Sequence, residues 1–98
     1  MLSWDDFRYI SAIADRRSLS EAATFLGINQ STVFRRLGQI EHRLGTRLFK
    51  RDRAGYTPMP RGEEMARLAA RMEQDIAAFE QGQQGKDAAA KPFATGIV

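Results

Sequence analysis

Cysteine is absent from the 98-residue chain, and histidine occurs once, at His42. Disulfides and thiol chemistry are therefore excluded. A metal site needs several converging nitrogen, sulfur or oxygen ligands, and a lone histidine late in a helix reads as an exposed side chain instead. There is no glycine-rich phosphate loop and no nucleophile paired with a base, so catalysis has little to stand on. No run approaches the roughly 18 apolar residues needed to span a bilayer. Residues 1–6 show no basic start followed by an apolar run, so no secretion signal is read there. The expectation is a cytoplasmic protein with no metal, no cofactor, no membrane partner and no enzymatic activity.

Hydrophobic residues make up 43% of the chain and charged residues 28%, a globular composition. The length suits one small domain with a single modest core. The net charge of +3 says little, but its distribution says more. Between Arg35 and Arg53 lie Arg35, Arg36, Arg43, Arg47, Lys50, Arg51 and Arg53, against only Glu41 and Asp52. That local excess is larger than the charge of the whole chain and reads as a phosphate-facing surface. From charge alone, a merely solvated basic face is an equal alternative.

Periodicity places four helices and a hairpin. Ser3 and Asp6 have the spacing of a capping box, and Leu2 with Phe7 that of a hydrophobic staple. Trp4, Phe7, Ile10, Ile13 and Ala14 then form one apolar face. Ser18-Leu19-Ser20-Glu21 caps a second helix, whose buried face is Ala22, Ala23 and Leu26 and whose stop is Gly27. Asn29 caps a third, with Val33, Leu37, Ile40 and Leu44 on one stripe and Gly45 at its end. Two helices joined by Gly27-Ile28-Asn29 fit a helix-turn-helix. Leu48-Phe49 and Tyr56-Thr57 flank the turn Asp52-Arg53-Ala54-Gly55, which suggests two short strands forming a wing. Pro60 suits the first turn of a fourth helix, running to about Gln81. The expected organisation is a mainly α winged helix-turn-helix over 1–58, a long dimerisation helix over 59–81, and a flexible hinge over 82–98, with a break at Gly82–Asp87.

Helix three carries the recognition chemistry. Opposite its core stripe lie Ser31, Arg35, Gly38 and His42, with Thr32, Phe34 and Gln39 on the flanks. Gln30 can project beyond the first turn. Amides, hydroxyls and guanidinium groups at that end are the groups that read base edges in a major groove. Phe34 admits two readings, a lid on the side of the core or an apolar contact to a thymine methyl group. On helix four, Met65, Leu68, Met72, Ile76 and Phe79 follow coiled-coil seam spacing. A body of about 58 residues can cover only part of that stripe, so the remainder is expected to bury against a second copy. The alternative is that the stripe folds back onto helix one. Two rival functions are a protein-docking adaptor, which would show an apolar patch in place of Arg35 and Arg36, and a subunit of a nucleic-acid-processing enzyme, which would show a carboxylate cluster.

These blocks together resemble the N-terminal part of LysR-type transcriptional regulators, from about Trp4 to Gln81. The resemblance rests on Ser18–Leu26, on Gln30–Leu37, on Ile40–Gly45, on Leu44–Arg51, and on Gly55 and Gly62. It implies sequence-specific binding to double-stranded promoter DNA by a homodimer joined through the long helix, often assembled further into tetramers. It implies a longer protein with a C-terminal domain that binds a small effector, with Ala94–Val98 approaching that domain's first strand. Carried over position by position, DNA contacts fall on Gln30, Ser31, Phe34 and Arg35, with Arg53 in the wing; Thr32 and Arg36 join them from the helix-three reading. Three positions depart from the family pattern. Phe34 stands where serine is usual, Gly38 where a larger polar residue is common, and Met59 where a threonine would cap the long helix.

Overall fold

The local capping signals are realised one by one. In the computed structural model, which describes the backbone of residues 1–96 and the side chains of residues 1–82, α1 spans Trp4–Arg16, α2 Leu19–Leu26 and α3 Gln30–Leu44. The Asp6 N–H donates to Ser3 Oγ at 3.3 Å and the Ser3 N–H returns to Asp6 Oδ2 at 3.0 Å, closing the capping box. Ser18 Oγ accepts the Glu21 N–H at 3.2 Å, and Asn29 Oδ1 accepts the Thr32 N–H at 2.9 Å. The box expected at Ser18 is only half formed, since no bond returns from Glu21 to the Ser18 N–H. Gly27 and Gly45 end α2 and α3 in the left-handed conformation expected of them.

The three helices bury their apolar stripes against one another. Ile10, Ile13, Val33 and Ile40 are each at most 1% exposed, and Leu37 is 5% exposed. Beyond Gly45, Leu48 and Phe49 drop into the same core, which is why the chain turns extended there. Strand β1, Phe49–Asp52, pairs antiparallel with β2, Gly55–Pro58, in the register Phe49 to Pro58 and Asp52 to Gly55. The Ala54 N–H donates to Asp52 Oδ1 at 2.9 Å and tightens the turn between them.

Backbone bonds fasten this wing to the helices. Arg17 adopts a left-handed φ of 56° at the end of α1, and its carbonyl accepts the Tyr56 N–H at 3.0 Å. A Cβ on Gly55 would collide with that same carbonyl. Leu48 is held at both ends: its N–H donates to Glu41 Oε2 at 2.8 Å, and its carbonyl accepts the Met59 N–H at 2.8 Å. Gly62 packs so closely on the Leu48 carbonyl that a Cβ there would overlap it. The wing is thereby fastened to the end of α1, and the start of the last helix to Leu48.

Helix α4 runs from Pro60 to Gly96. Met59 contributes no side-chain cap, as expected, yet the helix begins with Pro60, whose missing N–H is no loss in the first turn. The break expected at Gly82–Asp87 is absent from the backbone: the helix continues through it. An interior glycine costs only about 1 kcal/mol relative to alanine, and the flanking Gln, Ala and Lys residues are good helix formers. The strand approach expected at Ala94–Val98 falls partly on helical backbone, and Ile97 and Val98 lie outside the described residues. Among the described residues, no helix is long and apolar enough to cross a membrane.

Candidate nucleic-acid interface

Burial of Val33, Leu37 and Ile40 fixes the roll of α3, and everything opposite that stripe must face outward. Gln30, Ser31, Phe34 and Arg35 are all exposed there, at the helix's first turns. A concave groove of about 720 Å³ separates this end of α3 from the wing, with Ser18, Ser20, Gln30, Ser31, Phe34 and Arg51 on its walls. The start of α2 thus adds backbone N–H groups and hydroxyls to the same concavity. Ser18, Ser20 and Arg51 were not singled out as site residues. The cap at Ser18 and the basic run were both visible in the sequence, but not that the two meet.

The hydroxyls of Ser31 and Thr32 are already engaged. Both donate to Asn29 Oδ1 at 2.8 Å, alongside the Thr32 N–H. With their protons turned to the cap, they offer only acceptor lone pairs to an approaching group. Thr32 is half-buried, so Gln30 and Arg35 remain the donors free to reach outward. Arg35 and Arg53 are exposed and form no ion pair among the described residues. Arg53 sits at the tip of the wing, between the strands.

Arg36 is placed differently from expectation. Its Nη1 donates to Asp6 Oδ1 at 2.9 Å, and its guanidinium lies over the Tyr9 ring at 4.7 Å. Rather than facing outward, Arg36 ties α3 to α1. Burial alone would raise the Asp6 carboxyl, but the Ser3 N–H and the Arg36 guanidinium outweigh it and hold it below the ordinary aspartate value. Arg43 is likewise engaged, donating to the Met1 carbonyl at 2.7 Å. Of the seven basic residues in the block, Arg35, Arg47, Lys50 and Arg53 are left exposed without such anchors, and Arg51 is exposed with its guanidinium 5.5 Å from the centre of the Tyr56 ring.

The seam expected on α4 divides. Met65 is 5% exposed and belongs to the core, so it is not available to a partner. It lies where α4 crosses α1, and Ala69 one turn further on is 1% exposed against the same helix. Met72 is half-buried. Leu68, Ile76 and Phe79 are exposed at 45%, 44% and 68%. Among the described residues, no group of three or more His, Asp or Glu side chains is placed to hold a metal ion.

Comparison with known proteins agrees with this geometry. Residues 4–63 match the family described as "Bacterial regulatory helix-turn-helix protein, lysR family". A small neutral protease regulatory protein of Streptomyces coelicolor is 47% identical over 55 residues, covering 56% of this chain and 17% of the relative. The HTH-type transcriptional regulator YofA of Bacillus velezensis is 39% identical over 67 residues, covering 68% of this chain and 23% of the relative. The chain therefore matches less than a quarter of the length of either protein. Among solved structures, the BenM DBD/catB site 1 DNA complex superposes with a TM-score of 0.76 at 22% identity, over 94% of this chain and 97% of that one.

Proposed function

Because the chain belongs to the lysR family of bacterial regulatory helix-turn-helix proteins, we propose that it binds promoter DNA in a sequence-specific way and thereby regulates transcription. The observation that carries this reading is Arg35, exposed and free of any acidic partner among the described residues, on the outward face of α3 and flanked by a basic wing. A guanidinium there can make a bidentate contact to guanine O6 and N7, the commonest specific contact in a major groove. Lys50, Arg51 and Arg53 on the wing, and the free N–H groups at the start of α2, are suited to the flanking phosphates. BenM DBD is bound to DNA in its own structure, which is consistent with this assignment.

The reading extends to assembly. Leu68, Ile76 and Phe79 bury against the same helix of a second copy, giving a homodimer that presents two recognition helices to two half-sites. The chain corresponds to a minor part of the longer relatives, and under the same proposal the regulator is controlled by a small effector bound outside that part.

Binding-site selection from random duplexes tests the base-reading role. Arg35→Ala is expected to weaken the selected site by about 1–3 kcal/mol and to relax its consensus, whereas Arg53→Ala weakens selected and random DNA alike. An unchanged consensus from Arg35→Ala would remove Arg35 from base recognition.

A further inference from the structure

Two large aromatic side chains of the winged body stand well out in water, and they are not equivalent. Phe25 is 60% exposed, but the Arg16 guanidinium covers one face of its ring at 3.8 Å. Phe34 is 57% exposed and has no stacked cation among the described residues. It is absent from the core cluster and lines the groove beside the wing, so over half of its surface is left for another contact. One helical turn onward, Gly38 is exposed, and a Cβ added there would meet nothing within 4 Å. The flank of the Phe34 ring is therefore open toward the outer face of α3. Glycine inside a helix is unfavourable by about 1 kcal/mol, so this opening is made at a cost.

We propose that Phe34 recognises the 5-methyl group of a pyrimidine, thymine in unmodified DNA, in the major groove. The proposal rests on the DNA-binding reading above. Along the major-groove edges of the four bases, the thymine methyl is the one apolar group; the rest are hydrogen-bond donors and acceptors. A phenyl ring pressed against those would desolvate them without a partner, which is unfavourable. Ring and methyl instead remove apolar surface from water together. Arg35, the next residue, and Ser31, one turn back, share the same end of the helix, so the groove that receives them brings a base edge to the ring. Gly38 leaves room for that edge to come close.

The test uses the duplex enriched by the chain from a random pool, with each thymine replaced singly by deoxyuridine, which lacks only the methyl group. One position in each half-site is expected to lose about fourfold in affinity on replacement, the factor that corresponds to about 0.8 kcal/mol for a buried methyl-sized group. Phe34→Ser should bind the thymine and deoxyuridine duplexes equally, with its helical circular dichroism unchanged, and Phe34→Leu should keep part of the preference. Equal affinity of the unaltered chain for every deoxyuridine duplex would overturn the proposal, as would Phe34→Ser keeping the same preference at the same position. A chain that enriched no sequence at all would instead refute the DNA-binding reading beneath it.

Discussion

Met65 and Phe79 lie on the same stripe of α4, yet the first is 5% exposed and the second 68%. The first turns of the helix press Gly62, Met65 and Ala69 onto Leu48 and α1. The turns beyond carry the same residue types at the same spacing, yet Ile76 and Phe79 are left exposed among the described residues. Periodicity thus identifies which face of a helix is apolar, but tertiary placement decides what buries it. The near half of the stripe packs into the body of the chain, and the far half is exposed, the surface that the proposed dimer would use.

Charging exposed positions of α4 should separate the two roles most sharply. Each of Leu68 and Ile76 contributes about 1.5–3 kcal/mol on full burial, and a two-fold contact counts every loss twice. Leu68→Glu with Ile76→Glu is therefore expected to convert a dimer to a monomer in analytical ultracentrifugation, with helical content retained. A double variant that stayed dimeric would show that the seam lies elsewhere. Met65→Ala makes the complementary break. It should lower unfolding stability by about 2–5 kcal/mol, whereas Phe79→Ala should leave the melting of monomeric protein almost unchanged. Equal losses from the two variants would erase the distinction between the halves.

A smaller effect is expected at the joint between α1 and α3. Asp6→Asn removes the charged partner of Arg36 and should cost about 1–3 kcal/mol. Because the carboxyl is held below its ordinary value, its stabilisation is complete above the usual aspartate range and is lost as pH falls through the lowered folded value. Thermal melts at descending pH should show a shallower acid loss for Asp6→Asn than for the unaltered chain. Parallel acid profiles would mean that the pair contributes nothing to stability.

Features written in neighbouring residues were legible in the sequence. Ser3 with Asp6, and Asn29 with Thr32, are contacts over three positions, and the stripe Val33, Leu37 and Ile40 repeats within one helix. Features that join distant segments were not. Asp6 and Arg36 are thirty residues apart, and nothing local marks Arg36 as already paired. The same holds for Glu41 with Leu48, and for Gly62 on the Leu48 carbonyl, although glycine at that position was noted. The break expected at Gly82 failed for another reason: glycine disfavours a helix without forbidding it. The outward exposure of Gln30, Ser31, Phe34 and Arg35 was legible because the core stripe dictates the opposite face. Of the seven basic residues, the structure shows Arg36 and Arg43 anchored within the chain.

Five basic residues, Arg35, Arg47, Lys50, Arg51 and Arg53, thus remain to meet phosphates or bases, and salt is the most direct probe of them. A fluorescence-anisotropy titration of the chain on duplex DNA between 50 and 200 mM salt reads the number of phosphates engaged. With Arg35 given to a base, four phosphate contacts per subunit would give a log–log slope near −3.6 and an affinity loss of roughly 150-fold per subunit across that range. Arg36→Gln should leave that slope unchanged, because its charge is turned to Asp6. A flat salt response, or a slope that fell when Arg36 was replaced, would contradict the assignment of this surface to DNA.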